Sequence, residues 1–306
     1  MKNNNQEHYQ PYVGIVILNW NNLKDTLNCL DNVFKMNYEN FKVLVIDNGS
    51  KENPEIELRH SFPQINFIRN ETNLGYTGGN NQGLAFFLSK RTDYIWLLNN
   101  DVIVDKLCLS NLISKASANQ KIGLAAPIIY NNPEENKLLY CGTYINLSKT
   151  IKKQAKNLDE LHRWQKTEPE TICLWGTALL IKRSLTEQIG CLDERFFAYS
   201  EDMDYSVRSK NAGYKNIIVE TAKVFHEEKS KKYDSFPYHY HYYMARNELY
   251  FWKKYKKFKF QYYLITIRKA CKFSKQGDYN AVNAILDGTY SAIRRYKGDW
   301  KNRKKA

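Results

Sequence analysis

The sequence predicts an α/β fold built on a mostly parallel sheet flanked by helices, and three observations carry that prediction. Short β-branched apolar runs alternate with amphipathic stretches through the first 130 residues, as a series of βαβ units requires. The apolar runs end in polar or glycine residues, where open α/β sheets keep their ligands. The chain has 306 residues, 43% of them apolar, enough to bury one substantial core with a further subdomain attached.

In order, Tyr12 to Leu18 is the first strand, Leu23 to Phe34 a helix with apolar residues at helical spacing, and Phe41 to Ile46 the second strand. Ile65 to Ile68 is a short third strand, Gly78 to Ser89 a helix and Tyr94 to Leu98 a fourth strand. Asp105 to Ala118 is helical and Gly123 to Tyr130 extended. Asn131 to Pro169 is a polar, irregular insertion with a hairpin expected around Cys141-Gly142. An apolar strand returns from Thr171 to Lys182, followed by a loop and a helix from Glu201 to Ala212, and Ile217 to Phe225 is a further strand-like run. After His226 the composition shifts to Tyr, Phe, Trp, Lys and His, which puts a domain boundary near Lys229.

Charge and cysteine content narrow the class. Net charge is +14, but residues 229–306 hold 20 Lys/Arg against 5 Asp/Glu, and the rest of the chain is close to neutral. The six cysteines have no CxxC or metal-like spacing and read as thiols of a reducing compartment. Residues 1–10 lack an apolar signal core, and no run approaches a membrane span, so a cytoplasmic location is expected.

Four strand ends are polar: Asn19-Trp20-Asn21, Asp47-Asn48-Gly49-Ser50, Asn70 to Asn73, and Asn99-Asn100-Asp101. Asp47 suits a turn, or an acceptor for the N–H of a uracil or thymine ring. Asn73 to Asn81 places Gly75, Gly78 and Gly79 before a helix, which suits either close helix packing or exposed N–H groups facing a ligand. The segment fits neither the Walker A pattern nor GxGxxG. Asp101 suits an Asx-turn, or a ligand to Mg2+ or Mn2+ where a diphosphate supplies the other oxygens. Glu201, Asp202 and Asp204 open a helix after an aromatic run; the helix dipole accounts for acids there, and so does a general base, for which Asp202 is the choice. His226 follows an apolar run, and its imidazole is either structural or completes a metal site with Asp101.

Taken in order, these segments resemble family 2 glycosyltransferases, particularly the bacterial rhamnosyltransferase-like branch, from about Tyr12 to about Lys254. The resemblance is carried by Val16-Ile17-Leu18-Asn19-Trp20-Asn21, Val45 to Ser50, Asn73 to Asn81, Leu97 to Val102, Trp175-Gly176-Thr177-Ala178, Gly190 to Arg208 and Tyr243-Met244-Ala245-Arg246-Asn247. It implies the GT-A fold over residues 1–228, with a nucleotide-sugar half at about 10–130 and an acceptor half at about 170–228. It also implies that Asn19 and Asp47 contact base and ribose, and that Asn73, Gly79 and Asn80 approach the nucleotide sugar together with Asn99 and Asn100. By the same resemblance Asp101 and His226 hold a divalent cation, Asp202 is the base, and Trp175, Gly176 and Glu201 line the acceptor side. Asn99 stands where the family's DxD-type motif usually has its first acid, so the metal site has less charge and relies more on the donor. The implied reaction is inverting transfer from a nucleotide diphosphate sugar, leaning toward rhamnose, to a glycan or polyprenyl-linked acceptor in cell-surface polysaccharide synthesis.

Residues 229–306 read as a helical extension. Fourteen Phe, Tyr or Trp residues lie between Tyr233 and Tyr263, interleaved with lysines, a composition that favours an anionic membrane face over plain packing and over nucleic acid. That places the protein on the inner face of the cell membrane. Two competing functions remain: a nucleotide-sugar or glycan binding module without catalysis, and a nucleotidyltransferase. The latter needs a basic, glycine-rich triphosphate loop after the first strand, which Asn19 to Leu23 lacks.

Overall fold

The computed structural model describes residues 9–134, 136–227, 236–256, 261–302 and 304–305. The N-terminal half is β1 (Val13–Asn19), α1 (Leu23–Val33), β2 (Phe41–Asp47), α2 (Glu55–Ser61), β3 (Asn66–Arg69), α3 (Gly75–Ser89), β4 (Tyr94–Asn99), β5 (Val102–Val104), α4 (Cys108–Ser117) and β6 (Ile122–Tyr130). Then come β7 (Leu138–Tyr140), β8 (Thr143–Asn146), β9 (Ile151–Gln154), α5 (Leu158–Thr167), β10 (Ile172–Cys173), β11 (Ala178–Lys182), α6 (Arg183–Ile189), α7 (Glu201–Asn211) and β12 (Lys215–His226). Three helices follow, α8 (Tyr238–Tyr255), α9 (Gln261–Lys275) and α10 (Tyr279–Ile293).

The main sheet runs β3-β2-β1-β4-β11-β6-β12-β5, with β7 on the edge of β6. β1 is parallel to β2 and β4, β2 to β3, and β6 to β12, whereas β11 is antiparallel to both of its neighbours. β1, β2 and β4 are buried almost throughout, as strands covered on both faces should be. Alternation along β1 sends Gly14, Val16 and Leu18 toward α3 and Asn19 toward α1.

Close approach of α3 to β1 explains its glycines. A Cβ on Gly79 would sit 2.4 Å from Leu18 Cδ1, and one on Gly83 would sit 2.4 Å from Val16 Cγ1. Gly83→Ala is therefore expected to cost about 1–3 kcal/mol by overpacking. A urea melt checks this, and an unchanged midpoint would show that the two layers separate without strain.

Several elements differ from the sequence expectation. α2 has no apolar period because it buries only Leu58, and α6 was expected as loop. The insertion is ordered: β8 pairs with β9 on one side and with β10 on the other, and α5 is capped by Asn157, whose side chain accepts from Glu160 N at 2.9 Å. The hairpin is thus β8–β9, whereas Cys141-Gly142 is the point where the chain leaves the main sheet for the small one. The single strand expected from Thr171 to Lys182 breaks between β10 and β11, and Trp175-Gly176 occupies the break. The boundary near Lys229 lies outside the described residues. All six cysteines are free thiols.

Beyond that boundary α8 belongs to the core. Leu249, Phe251 and Trp252 pack with Phe196, Met203 and Val207 from the α7 region. Buried Asp204 of α7 accepts Lys254 Nζ at 2.6 Å, Arg208 Nε at 2.9 Å and Tyr255 Oη at 2.7 Å. The aromatic run from Tyr250 to Tyr255 is thus largely packing surface, the plainer of the sequence readings, and Lys257 to Phe260 lie outside the described residues. No helix among the described residues is long and apolar enough to cross a membrane.

Candidate active site

Register brings the polar strand ends together. Asn19 pairs with Asp47, Asp47 with Arg69, and Asn99 with Leu18, so three predicted residues stand at the carboxyl ends of adjacent parallel strands. Asn19 and Asp47 are buried, and Asp47 accepts Asn19 Nδ2 at 2.8 Å and Ser50 Oγ at 2.5 Å, with Arg69 Nε 3.6 Å away. Asn19 in turn accepts Thr26 Oγ1 at 2.8 Å from α1. In this arrangement Asp47 holds the strand-end loops to one another, so contact with a base requires Ser50 or Arg69 to give way.

A second network fixes the loop before α3. Asn48 Nδ2 donates to Asn73 Oδ1 at 2.9 Å, Asn48 Oδ1 accepts Asn70 Nδ2 and Leu74 N, and Asn73 Oδ1 accepts Gly75 N at 2.7 Å. Gly75 has φ +75°, and a Cβ there would sit 2.3 Å from the Phe197 carbonyl oxygen, so only glycine fits. The helix starts at Gly75, three residues earlier than expected. Gly79 and Asn80 therefore lie inside it, Gly79 against β1 and Asn80 donating to Tyr76 O at 2.9 Å. Of the three loop glycines, Gly75 makes the turn and Gly79 makes the packing.

Asn99-Asn100-Asp101 turns the chain from β4 into β5, which lies antiparallel to the end of β12 with His226 opposite Val102. That pairing sets Asp101 Oδ1 3.2 Å from His226 Nε2, with the side chains 42% and 28% exposed. Both line a cleft of about 620 Å³ with Asp25 and Asn28 of α1 and Asn131 and Asn132 after β6. Its volume falls in the range of small-molecule sites. Asn100 donates to Thr26 Oγ1 at 2.8 Å, tying this turn to α1. Asp101 and His226 were expected together and are together; the cleft-lining residues of α1 and of the turn after β6 were missed.

Asp202 is tied to the end of β4 through two backbone links. Its Oδ2 accepts Gly176 N at 3.0 Å and its Oδ1 accepts Met203 N at 2.7 Å. One residue on, the Thr177 carbonyl accepts Asn99 N at 2.9 Å, so the dipeptide Gly176-Thr177 links Asp202 directly to the end of β4. Tyr76 Oη donates to Gly176 O at 2.7 Å, and a Cβ on Gly176 would meet that hydroxyl at 2.6 Å. Trp175 stacks on Tyr140 at 4.1 Å, holding the broken strand open.

The two acids of α7 differ in environment. Asp202 is half-buried, and desolvation raises its carboxyl above the usual aspartate value against the lowering by the Gly176 and Met203 N–H groups. Glu201 is 4% exposed, its Oε2 has no partner among the described residues, and burial, then the Asp202 charge, push its carboxyl well above the glutamate range. A partly exposed carboxyl of raised pKa beside a buried one biased toward its protonated form suits proton abstraction.

The loop before α7 is strained. Tyr199 and Ser200 have φ +69° and +75°, a region that L side chains avoid. α8 holds it: buried Asn247 donates from Nδ2 to Ala198 O at 2.6 Å and Tyr199 O at 2.8 Å. Buried Arg246 fixes Asn247 through Nε to Oδ1 at 2.9 Å and lies over the Tyr243 ring, 4.9 Å from its centroid. Arg246-Asn247 carries part of the family resemblance, and this clamp on the loop is a task that no local sequence pattern announces.

Comparison with known proteins decides the family. The model of glycosyl transferase family 2 matches residues 14–190, more than half of the chain. The chain belongs to that family. Among curated relatives it is similar to an N-acetylglucosaminyl-diphospho-decaprenol L-rhamnosyltransferase of Mycobacterium tuberculosis, 26% identical over 61% of this chain and 66% of that protein. It is also similar to a low-salt glycan biosynthesis hexosyltransferase of Haloferax volcanii, 28% identical over 65% of this chain and 61% of that protein. The chain thus spans somewhat under two thirds of the length of these relatives. Among solved structures it is similar to a mannosyltransferase of Pyrobaculum calidifontis in complex with GDP-Man and Mn2+, with a TM-score of 0.56 and 14% identity over 94% of this chain and 76% of that one. The fold of this family 2 member is GT-A, as the sequence resemblance implied. The family match ends before α7 and β12, so Asp202 and His226 rest on geometry.

Proposed function

We propose that this family 2 protein is an inverting glycosyltransferase, moving a sugar from a nucleotide diphosphate donor to a hydroxyl of a lipid-linked glycan. The observation that carries this is the Asp202–Gly176–Thr177–Asn99 link, which puts a carboxylate of raised pKa beside strand ends that suit a nucleotide sugar. Asp202 takes the proton from the acceptor hydroxyl as its oxygen attacks the anomeric carbon and the bond to the diphosphate breaks. One displacement inverts the centre, and no second nucleophile is needed. Gly176 N–H orients the carboxylate, and the Tyr140–Trp175 stack supports the acceptor side.

The Asp101–His226 pair suits a divalent cation. Carboxylate oxygen with imidazole nitrogen is a donor set that Mn2+ accepts. Among the described residues no group of three His, Cys, Asp or Glu converges, so Asp101 and His226 provide two ligands and leave the rest to diphosphate oxygens. When bound there, the cation supplies positive charge to the departing diphosphate. Asp101→Asn and His226→Ala are expected each to lower the Mn2+-dependent part of donor binding by about tenfold or more. Thermal unfolding with a panel of nucleotide sugars, with and without Mn2+, measures this, because a ligand of the folded state raises its stability with affinity. Undiminished protection of both variants would remove the cation from these side chains. The mycobacterial relative's name makes a nucleotide diphosphate rhamnose and a polyprenyl-diphosphate-linked sugar the first pair to assay.

A further inference from the structure

Among the described residues twelve large apolar side chains are exposed, and six of them lie on two helices: Leu264 and Ile267 on α9, and Tyr279, Leu286, Tyr290 and Ile293 on α10. Apolar groups scattered singly over a surface need no explanation, but a concentration does. The spacing here is helical. Leu264 and Ile267 are three apart, with exposed Cys271 four further on, and steps of seven, four and three join Tyr279 to Ile293. At 3.6 residues per turn each row stands opposite the buried row of its own helix. That buried row is Tyr262, Thr266 and Ala270 on α9, and it includes Ala281, Ile285 and Gly288 on α10. A Cβ on Gly288 would sit 2.3 Å from the Tyr242 carbonyl oxygen, so α10 is seated on α8 and its outer row faces away from the catalytic domain. Gly277, at φ +77°, turns α9 into α10, and the two helices form a hairpin.

Basic side chains outnumber acids around the rows. α9 carries Arg268, Lys269, Lys272 and Lys275 and no acid, with Lys269 paired to Glu248 of α8, and Arg294 and Arg295 follow α10, which Asp278 caps at its start. The only acid within α10, Asp287, accepts from Tyr238 Oη at 3.2 Å. We propose that the α9–α10 hairpin is a docking face for an anionic lipid bilayer, with Leu264, Ile267, Leu286 and Ile293 entering the acyl boundary and the basic side chains lying among the phosphates. Amphipathic helices with a basic flank bind this way. A second copy of the chain would bring like charges together across the same face. Nucleic acid would find few flat rings for stacking in rows that are mainly aliphatic.

The inference rests on the hairpin alone, independent of the sugar-transfer reading, and its test needs no turnover. The full chain is sedimented with vesicles of phosphatidylcholine alone and with vesicles enriched in phosphatidylglycerol. Partition into the anionic vesicles is expected to exceed that into neutral ones by about tenfold and to fall with added salt. The triple variant Ile267→Ser, Leu286→Ser, Ile293→Ser changes exposed positions only and should melt as the parent does while losing about tenfold in partition. Equal partition of parent and variant, or no partition into either vesicle, overturns the proposal. So does a parent that elutes as a dimer which the triple variant dissociates, or one that binds RNA and no vesicle.

Discussion

Asp202→Asn is expected to lower sugar transfer by roughly a thousandfold while leaving donor affinity within about twofold, the range of loss seen when a general base is removed. The amide keeps the shape of the side chain and one of its backbone hydrogen bonds but cannot take the acceptor's proton. Because the Asp202 carboxyl is raised by burial, the parent's rate should fall on the acid side at a pH above the ordinary aspartate value, and the variant's residual rate should lack that limb. Stability supplies a second readout. A carboxyl whose folded pKa is raised contributes stability that is full below its unfolded pKa and is lost as pH rises through the folded value. The parent should therefore gain stability relative to Asp202→Asn as pH falls from neutral, which thermal melts across that range measure. A variant that transfers sugar at the parent's rate would take the base role away from Asp202.

Glu201 separates this prediction from a generic effect of acids at a helix start. It neighbours Asp202 on α7, yet one is sealed and the other half-open, because consecutive helical residues point about 100° apart. Glu201→Gln replaces a carboxyl already biased to its neutral form and should leave the acid limb of the rate in place.

Much of the site could be read in the sequence because strand-end chemistry is local. The residue that follows a buried parallel strand sits at the sheet's carboxyl edge whatever the rest of the chain does, so Asn19, Asp47 and Asn99 were placed by pattern alone. Asp101 and His226 are 125 positions apart, and only donor chemistry and the resemblance joined them; the β5–β12 register is the physical cause of their contact. What the sequence hid depends on tertiary packing. Gly79 looks like a ligand loop until Leu18 is seen beneath it, because a glycine needed for a close neighbour and one needed for a ligand are the same letter. Asn131 and Asn132 end β6 as Asn99 ends β4, and the same strand-end rule would have found them had the stretch not been read as the start of an irregular insertion. The aromatic run of α8 is ambiguous for a different reason: Tyr and Trp serve a core and a membrane face equally well, and only burial tells them apart.

Asn247→Ala is expected to lower kcat by about ten- to a hundredfold with little change in donor KM, since small misplacements of a reacting group cost that much. Asn247 touches no reacting atom in the proposed mechanism; it is a positioning residue. Its Nδ2 holds the Ala198 and Tyr199 carbonyls, and those residues lead into Ser200 and the first turn of α7, where Asp202 meets Gly176. Removing the amide leaves two backbone acceptors and the Arg246 guanidinium short of a partner in a buried place, a loss of about 2–4 kcal/mol. Positive φ at two successive non-glycine residues adds a tendency to relax once the clamp is gone. Loss of stability and loss of positioning can be separated by Ser200→Gly, which should return about 1 kcal/mol because glycine tolerates φ +75° at no steric cost. In the double variant the melting temperature should recover in part, while kcat stays low, because glycine makes the loop freer and does not restore the hold on Asp202. Full recovery of kcat with stability would show that Asn247 only keeps the chain folded. An unchanged kcat in the single variant would show that Gly176 and Met203 orient the carboxylate without help from α8.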